Sequence, residues 1–338
     1  MNKFWILAGA FGAVVLLTGL LRQYALRVRL LDIPNPRSSH SIPTPRGGGL
    51  AVVLVFVLGA CLLARGNSVP ASLLPLVLLP CILVATVGWL DDHSSLPARV
   101  RLLVHLLAAG LALFLLPSLP ALPLWHGQLP LAAWSYPLIL LGLVWLVNLN
   151  NFMDGIDGIA SVEAISVTLG AAAILWLNGG GGTQALLLAL LAATVAGFLA
   201  WNCPPAKIFM GDACSGFLGM AIGVFALATS VEGGINLWSW LILYGVFAVD
   251  ATCTLLRRFW RGEKLHEAHR SHAYQILARR WQSHRKVTGL VLGVNICWLF
   301  PLAVVSSRWP EWSLLCAALA LAPLLLGVIR AGAGTTNQ

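Results

Sequence analysis

Five aspartates stand at the ends of apolar runs: Asp91 and Asp92 side by side, Asp154 and Asp157 three apart, and Asp212 alone. Adjacent carboxylates repel, so Asp91-Asp92 calls for a compensating cation or proton, with a helix cap as the plainer alternative. Asp154 and Asp157 on one helical turn would face the same way. They close the run Asn148-Leu-Asn150-Asn151-Phe-Met-Asp154-Gly155-Ile-Asp157-Gly158, whose glycines let backbone approach a ligand closely. Read alone, this run is equally well explained as a polar connector between helices. Asp212 follows Lys207-Ile-Phe-Met-Gly211 at the mouth of another apolar segment. Carboxylates joined by an amide oxygen are the hard ligands that Mg²⁺ takes while it also holds substrate phosphates.

Cationic groups accompany the acids. The segment Asp32-Ile-Pro-Asn-Pro-Arg-Ser-Ser-His40-Ser-Ile-Pro-Thr-Pro-Arg46-Gly-Gly-Gly49 is held extended by its prolines and leads into a helix at about Leu50. Glycines and Arg46 before a helix start suit an anion. The cluster Arg257–Lys286 contains His266, His269, Arg270 and His272. A basic segment beside a membrane ordinarily meets anionic lipid head groups, and His with Arg also suits a diphosphate. Three histidines in seven residues lack the cysteine or carboxylate spacing of a zinc site. Phosphoryl transfer asks for positioning, a metal, cationic clamps and at most one base. A site of that kind at a bilayer surface joins a soluble phosphate-bearing donor to a lipid acceptor.

The elements that must position these groups are membrane helices. The chain has 338 residues, 59% of them hydrophobic and 10% charged, with a mean hydropathy of +0.85; soluble chains carry about 25% charged residues. The expected fold class is an all-α polytopic membrane protein, one domain over 1–338, with about eleven spans: 1–21, 49–64, 72–90, 100–116, 131–149, 159–177, 184–201, 214–230, 236–256, 287–306 and 311–330. The first run is too long for a signal peptide and ends in Leu-Leu-Arg. Most basic residues fall in the loops 22–47, 91–101, 150–158, 202–213 and 257–286, which places those loops in the cytosol, the N-terminus outside and the C-terminus inside. The acids follow the same parity, with Glu232 and Glu311 on the other side beside the Gly179–Gly182 connector. A formal net charge of +9 would suggest nucleic acid only if it formed one soluble face, and it does not. The seven cysteines show no C-x-x-C spacing and read as small hydrophobes.

In this order, Asp91-Asp92, Asn148-x-x-Asn151-x-x-Asp154-Gly-x-Asp157-Gly, Phe209-Met-Gly-Asp212 and a terminal His-x-x-His loop resemble the polyprenyl-phosphate N-acetylhexosamine-1-phosphate transferases. The Asp32–Gly49 loop and the Asp250…Arg257-Arg258 pattern look like the O-antigen-initiating branch. The resemblance covers about residues 30–275. It implies transfer of N-acetylhexosamine-1-phosphate from a UDP-N-acetylhexosamine to undecaprenyl phosphate, with release of UMP, at the cytosolic face of the bacterial inner membrane. The cofactor implied is Mg²⁺, with Mn²⁺ as the substitute, and the pathway is lipopolysaccharide O-antigen or another envelope glycan. Carried over by position, Asp91 and Asp92 are acceptor-side carboxylates, one of them the base. Asp212 is a metal ligand with the Asn151 amide oxygen. Asp154 and Asp157 order the nucleotide–metal site. His269, Arg270 and His272 meet the diphosphate or sugar, and Asn148, His40, Arg46 and Lys207 join the substrate-binding set. Membrane lipids and a second copy of the chain are the further partners expected.

Three departures stand out. Cys214 occupies a usual glycine position, the last loop is His269-Arg-Ser-His272 rather than His-x-His-His, and His105 stands where glutamine is expected. The altered loop favours a deoxy sugar such as FucNAc or QuiNAc. His105 reads as a helix-packing residue. Asp250, two turns inside a span, is either functional or a structural partner of a neighbouring helix. The other readings are a UDP-MurNAc-pentapeptide phosphotransferase and, from another class, a multispanning transporter. A transporter would place its ionisable groups near the bilayer midplane in repeated halves, whereas these acids sit at helix ends and no repeat is visible.

Overall fold

A computed structural model describes residues 3–34, 39, 42–179, 182–263 and 269–335. His40 and His266 lie outside the described residues. The helices are α1 (Lys3–Arg27), α2 (Leu50–Arg65), α3 (Leu74–Ser94), α4 (Ala98–Leu115), α5 (Tyr136–Phe152), α6 (Ile159–Leu177) and α7 (Gly182–Asn202). They continue as α8 (Asp212–Val231), α9 (Leu237–Leu243), α10 (Gly245–Trp260), α11 (Ala273–Trp281), α12 (His284–Val294), α13 (Phe300–Arg308) and α14 (Ser313–Ala331). The protein is a helical, polytopic membrane protein. In hydrocarbon only helices or closed barrels satisfy the backbone internally, and these apolar runs are helical throughout.

Among the described residues, nine helices are long and apolar enough to cross a membrane. The pair α9 and α10 would make ten, and α2, with 16 residues, is shorter than the usual span. The expected span at 236–256 is broken: α9 and α10 meet at an angle of 80°. The sequence of α10 gives the reason. Asp250, Thr254 and Arg258 are buried on one side while Leu256, Phe259 and Trp260 are exposed on the other. The bend at Tyr244–Gly245 keeps that polar side against protein. A second irregularity, the π-helical segment Asn295–Leu299 between α12 and α13, lets the Asn295 amide reach Glu163 Oε2 at 2.7 Å and Ser166 Oγ at 2.7 Å.

The core is built around α8, which packs against α3 and α5 and is buried almost along its whole length. Its small residues Ser215, Gly219 and Gly223, four apart, give the close helix approach that membrane interfaces use in place of a hydrophobic driving force. Two antiparallel hairpins depart from an all-α fold: β1 (Leu31–Asp32) pairs with β2 (Thr44–Pro45), and β3 (Ala121–Leu124) with β4 (Gly127–Pro130). Strands this short carry too little alternation to be read from sequence.

The loops 22–47, 91–101, 150–158, 202–213 and 257–286 meet at one end of the bundle. Phe209 N–H donates to the Pro45 carbonyl at 2.8 Å, Arg22 Nε to the Lys207 carbonyl at 3.2 Å, and the Tyr274 hydroxyl to the Phe152 carbonyl at 2.9 Å. The chain after α14 joins them through Gly334 N–H and the Ser271 carbonyl, 2.8 Å apart.

Candidate active site

The site forms where α3, α5 and α8 end together. Gly211 has φ +82°, a conformation open to glycine, and turns the chain so that α8 starts at Asp212. The free amides of that helix start are taken by Asp92, which is 3% exposed. Asp92 Oδ1 accepts from Asp212 N–H at 3.2 Å and Oδ2 from Ala213 N–H at 3.3 Å. Asp92 is thus a helix cap, though of a helix 120 residues downstream rather than its own, and a carboxylate there also meets the positive end of the helix dipole. One turn earlier, Gly88 lets α3 lie on α8. A Cβ at Gly88 would overlap the Asp212 carbonyl.

The neighbouring carboxylates differ in how fully they are engaged. Asp91 Oδ1 accepts from Leu96 N–H at 2.6 Å, and Oδ2 lies 2.6 Å from Arg101 Nη1. The same guanidinium nitrogen is 3.7 Å from Asp212 Oδ2. Asp157 Oδ2 is 3.2 Å from His284 Nδ1 and accepts from Ala206 N–H at 3.1 Å, while its carbonyl accepts from Thr288 Oγ1. Asp157 therefore ties the 150–158 loop to α12 and to the 202–213 loop. Asn151 Nδ2 donates to Ser215 Oγ at 3.2 Å, which turns its amide toward the start of α8. Arg46 donates to the Asp92 carbonyl.

Two cavities share Asp212. The first, about 360 Å³, mixes apolar walls (Val84, Val87, Leu102, Val147) with Arg101, His105, Asn148, Asn151, His269 and His272. The second, about 210 Å³, is more polar. Asp32, Arg46, Asp92, Asp154, Asp157, Gln275 and His284 line it together with the Gly155 backbone and Phe209. Asp212 lies between an apolar-walled chamber carrying Arg101 and three histidines and a polar chamber carrying carboxylates with Arg46 and His284.

Most of the residues expected from sequence are brought together here. Asn148, Asn151, His269 and His272 face the first cavity; Arg46, Asp92, Asp154 and Asp157 face the second; and Asp91 acts beside them through Arg101. Lys207 and Arg270 are not: both are exposed and line neither cavity, and the Lys207 ammonium lies over the Trp201 ring at 5.5 Å from its centroid. A long cation on an apolar stem readily finds an aromatic face instead of a ligand. Sequence reasoning missed Arg101, Gln275 and His284 as site residues. It set His105 aside as packing, and His105 is indeed buried, yet its side chain faces the first cavity. The only signal was position: Arg101 and His105 are four apart on α4, one face of a helix leaving the Asp91-Asp92 loop.

The glycosyl transferase family 4 profile matches residues 74–230, the stretch that carries all five aspartates. Over 283 residues the chain is 30% identical to a Bacillus subtilis protein named probable undecaprenyl-phosphate N-acetylglucosaminyl 1-phosphate transferase, covering 80% of this chain and 76% of the relative. The chain belongs to glycosyl transferase family 4. A Synechococcus phospho-N-acetylmuramoyl-pentapeptide-transferase is 33% identical to this family 4 protein over 270 residues, 75% of this chain and 72% of the relative. The Yersinia pestis undecaprenyl-phosphate alpha-N-acetylglucosaminyl 1-phosphate transferase is 28% identical over 323 residues, 90% and 85% of the two chains.

In this family 4 protein the acids at the shared wall crowd one another, which a retained proton or a cation would relieve. Burial, then the Asp212, Asp92 and Asp157 carboxylates, push Asp154 well above the usual carboxylate range. Among the described residues no three His, Cys, Asp or Glu side chains converge closely enough to hold an ion unaided. That donor set fits Mg²⁺, which is usually held by one or two carboxylates and completes its shell with water and substrate phosphates. It does not fit a tightly caged transition metal.

Proposed function

We propose that this protein transfers N-acetylhexosamine-1-phosphate from a UDP-N-acetylhexosamine to undecaprenyl phosphate, releasing UMP, at the cytosolic face of a bacterial inner membrane. The product starts an O-antigen or another cell-envelope glycan. The observation that carries the proposal is the placement of Asp212 on the wall between an apolar-walled cavity bearing Arg101 and histidines and a polar one rich in carboxylates. The named activities of the Bacillus and Yersinia relatives support the same reading. The basic loops gathered at the site end of the bundle favour a cytosolic orientation for that end.

The first cavity suits the lipid phosphate. Its apolar wall includes Leu102, which is exposed on α4, and Arg101, His269 and His272 offer donors to a phosphate. Asp91 holds the Arg101 guanidinium in place. The second cavity suits the nucleotide: Gly155 backbone and the Phe209 ring provide close-packing faces, and Gln275 and Arg46 provide donors. Mg²⁺ held by Asp212 and Asn151, with phosphate oxygens from the substrates, would neutralise the diphosphate charge. A phosphomonoester whose second pKa is about 6 is largely dianionic at neutral pH, so the acceptor needs little help from a base. Asp92, with both oxygens on α8 amides, then serves as the cap that keeps Asp212 aimed at the shared wall.

The acidic cluster predicts a metal-dependent stability. A carboxyl group raised in the folded state keeps a proton that the unfolded chain has lost. Asp154 therefore costs stability as pH rises above its unfolded value of about 4. At neutral pH, added Mg²⁺ is expected to raise the unfolding temperature of the purified protein, and to raise it less in Asp154→Asn, as read by a fluorescence melt. The function is tested by a donor panel of UDP-GlcNAc, UDP-GalNAc, UDP-FucNAc, UDP-QuiNAc and UDP-MurNAc-pentapeptide with undecaprenyl phosphate and Mg²⁺. UMP release is expected with an N-acetylhexosamine donor. UMP at background with every donor overturns the proposal, and release with the pentapeptide donor alone replaces it by the pentapeptide transferase reading.

A further inference from the structure

Asp250 lies on α10, shortly after the bend from α9, and is 3% exposed. A buried acid must be neutralised or fully hydrogen-bonded, and Asp250 meets that demand with the start of another helix. Its Oδ1 accepts from Ala273 N–H at 2.9 Å and from Thr254 Oγ1 at 3.0 Å, and its Oδ2 accepts from Tyr274 N–H at 3.0 Å. His272 Nδ1 approaches Oδ1 at 3.4 Å without hydrogen-bond geometry, both side chains being almost wholly buried. The N-cap position of α11 is His272 itself, whose side chain caps nothing. The cap is supplied instead from 23 residues upstream, by a charged acceptor at the positive end of the helix.

The residues at the start of α11 reach both cavities. The His272 ring lies 4.8 Å from that of His269, and both line the first cavity. With Nδ1 facing the carboxylate, Nε2 is the ring nitrogen left for a ligand. Tyr274 and Gln275 turn the other way: the Tyr274 hydroxyl donates to the Phe152 carbonyl at 2.9 Å, and Gln275 lines the second cavity. The Tyr274 hydroxyl also crowds Gly155 so closely that a Cβ there would overlap it.

We infer that Asp250 is a positioning residue for both cavities. One buried carboxylate fixes the start of α11; His269 and His272, just before that start, line the first cavity, while Gln275 lines the second and Tyr274 packs on its Gly155 wall. The bend between α9 and α10 brings that carboxylate to α11, which gives the broken span a purpose at the site. The kinetic half of this inference rests on the two-substrate reading above; the structural half does not.

The experiment pairs amide hydrogen exchange with kinetics on the purified full-length protein and its Asp250→Asn, His272→Ala and double variants. Asp250→Asn keeps the shape and one acceptor oxygen, so it folds where Asp250→Ala would leave the α11 amides unsatisfied. The expected result is at least tenfold faster exchange over 269–276 in Asp250→Asn, with 84–95 unchanged. Its kcat/KM is expected to fall at least tenfold for acceptor and donor alike, whereas His272→Ala falls for the acceptor only. The acceptor loss in the double variant is expected to be smaller than the product of the single losses, because Asp250 acts there through His272. Unchanged exchange over 269–276 overturns the inference, and so does an acceptor loss equal to that product. If the wild type releases no UMP, the functional reading fails while the exchange measurement still decides whether Asp250 holds α11.

Discussion

Asp212→Asn is expected to reduce kcat by about 10³-fold or more, a barrier increase of roughly 4 kcal/mol, while the protein inserts and melts as the wild type does. The activity loss follows from position. Asp212 is the residue common to both cavities, so under the proposed function it would meet donor and acceptor phosphates where charge redistributes during transfer. The preserved fold follows from electrostatics. Asp212 contributes its backbone N–H, not its carboxylate, to the Asp92 cap, and asparagine leaves that amide in place. Replacing the Asp212 carboxylate with an amide removes one of the groups that raise Asp154. The melting temperature should therefore hold or rise as activity disappears. Steady-state UMP release and a thermal melt on the same preparation check both halves. Activity within tenfold of wild type would remove Asp212 from the metal-binding role.

Gly88→Ala is expected to damage fold and activity together, in contrast to Gly110→Ala, which should leave both near wild type. A Cβ at Gly88 would overlap the Asp212 carbonyl oxygen and carbon and the Ala213 nitrogen. These are backbone atoms of the α8 start and cannot swing aside as a side chain would. Either α3 and α8 separate or the Asp92 cap breaks, and overpacking of this kind costs roughly 1–3 kcal/mol. The same shift displaces Asp212, so activity should fall more than about 100-fold, roughly 2.7 kcal/mol of barrier. A Cβ at Gly110, on α4, has nothing within 4 Å, and glycine to alanine within a helix gains up to about 1 kcal/mol. Melting temperature and initial rate of the two variants, measured side by side, separate the close approach from a general intolerance of substitution.

Much of the site was legible because chemistry was concentrated where hydrocarbon was interrupted. The acids at helix ends, the asparagine run and the parity of the basic loops identified the residues that meet around Asp212. What could not be read was which groups of one type were engaged and which were free. Asp92 and Asp157 look like Asp154 and Asp212 in sequence, yet Asp92 caps α8 and Asp157 ties two loops to His284. Both the α8 start and His284 lie far along the chain from these acids, beyond the reach of local patterns. Lys207 and Arg270 were named by proximity to motifs, whereas Arg101 on the neighbouring helix reaches the carboxylates. The bend between α9 and α10 has no proline to mark it in the apolar run at 236–256, and the polar side of α10 that accompanies it, Asp250, Thr254 and Arg258, shows as buried only in the fold.

The central claim, that a sugar phosphate rather than a sugar moves to the lipid, is tested most directly by the fate of the β-phosphate. With a UDP-N-acetylhexosamine labelled at the β-phosphorus, undecaprenyl phosphate and Mg²⁺, the purified protein should place the label in the lipid fraction and release unlabelled UMP in equal amount. Label recovered as UDP or as free phosphate, with none in the lipid, would contradict the account.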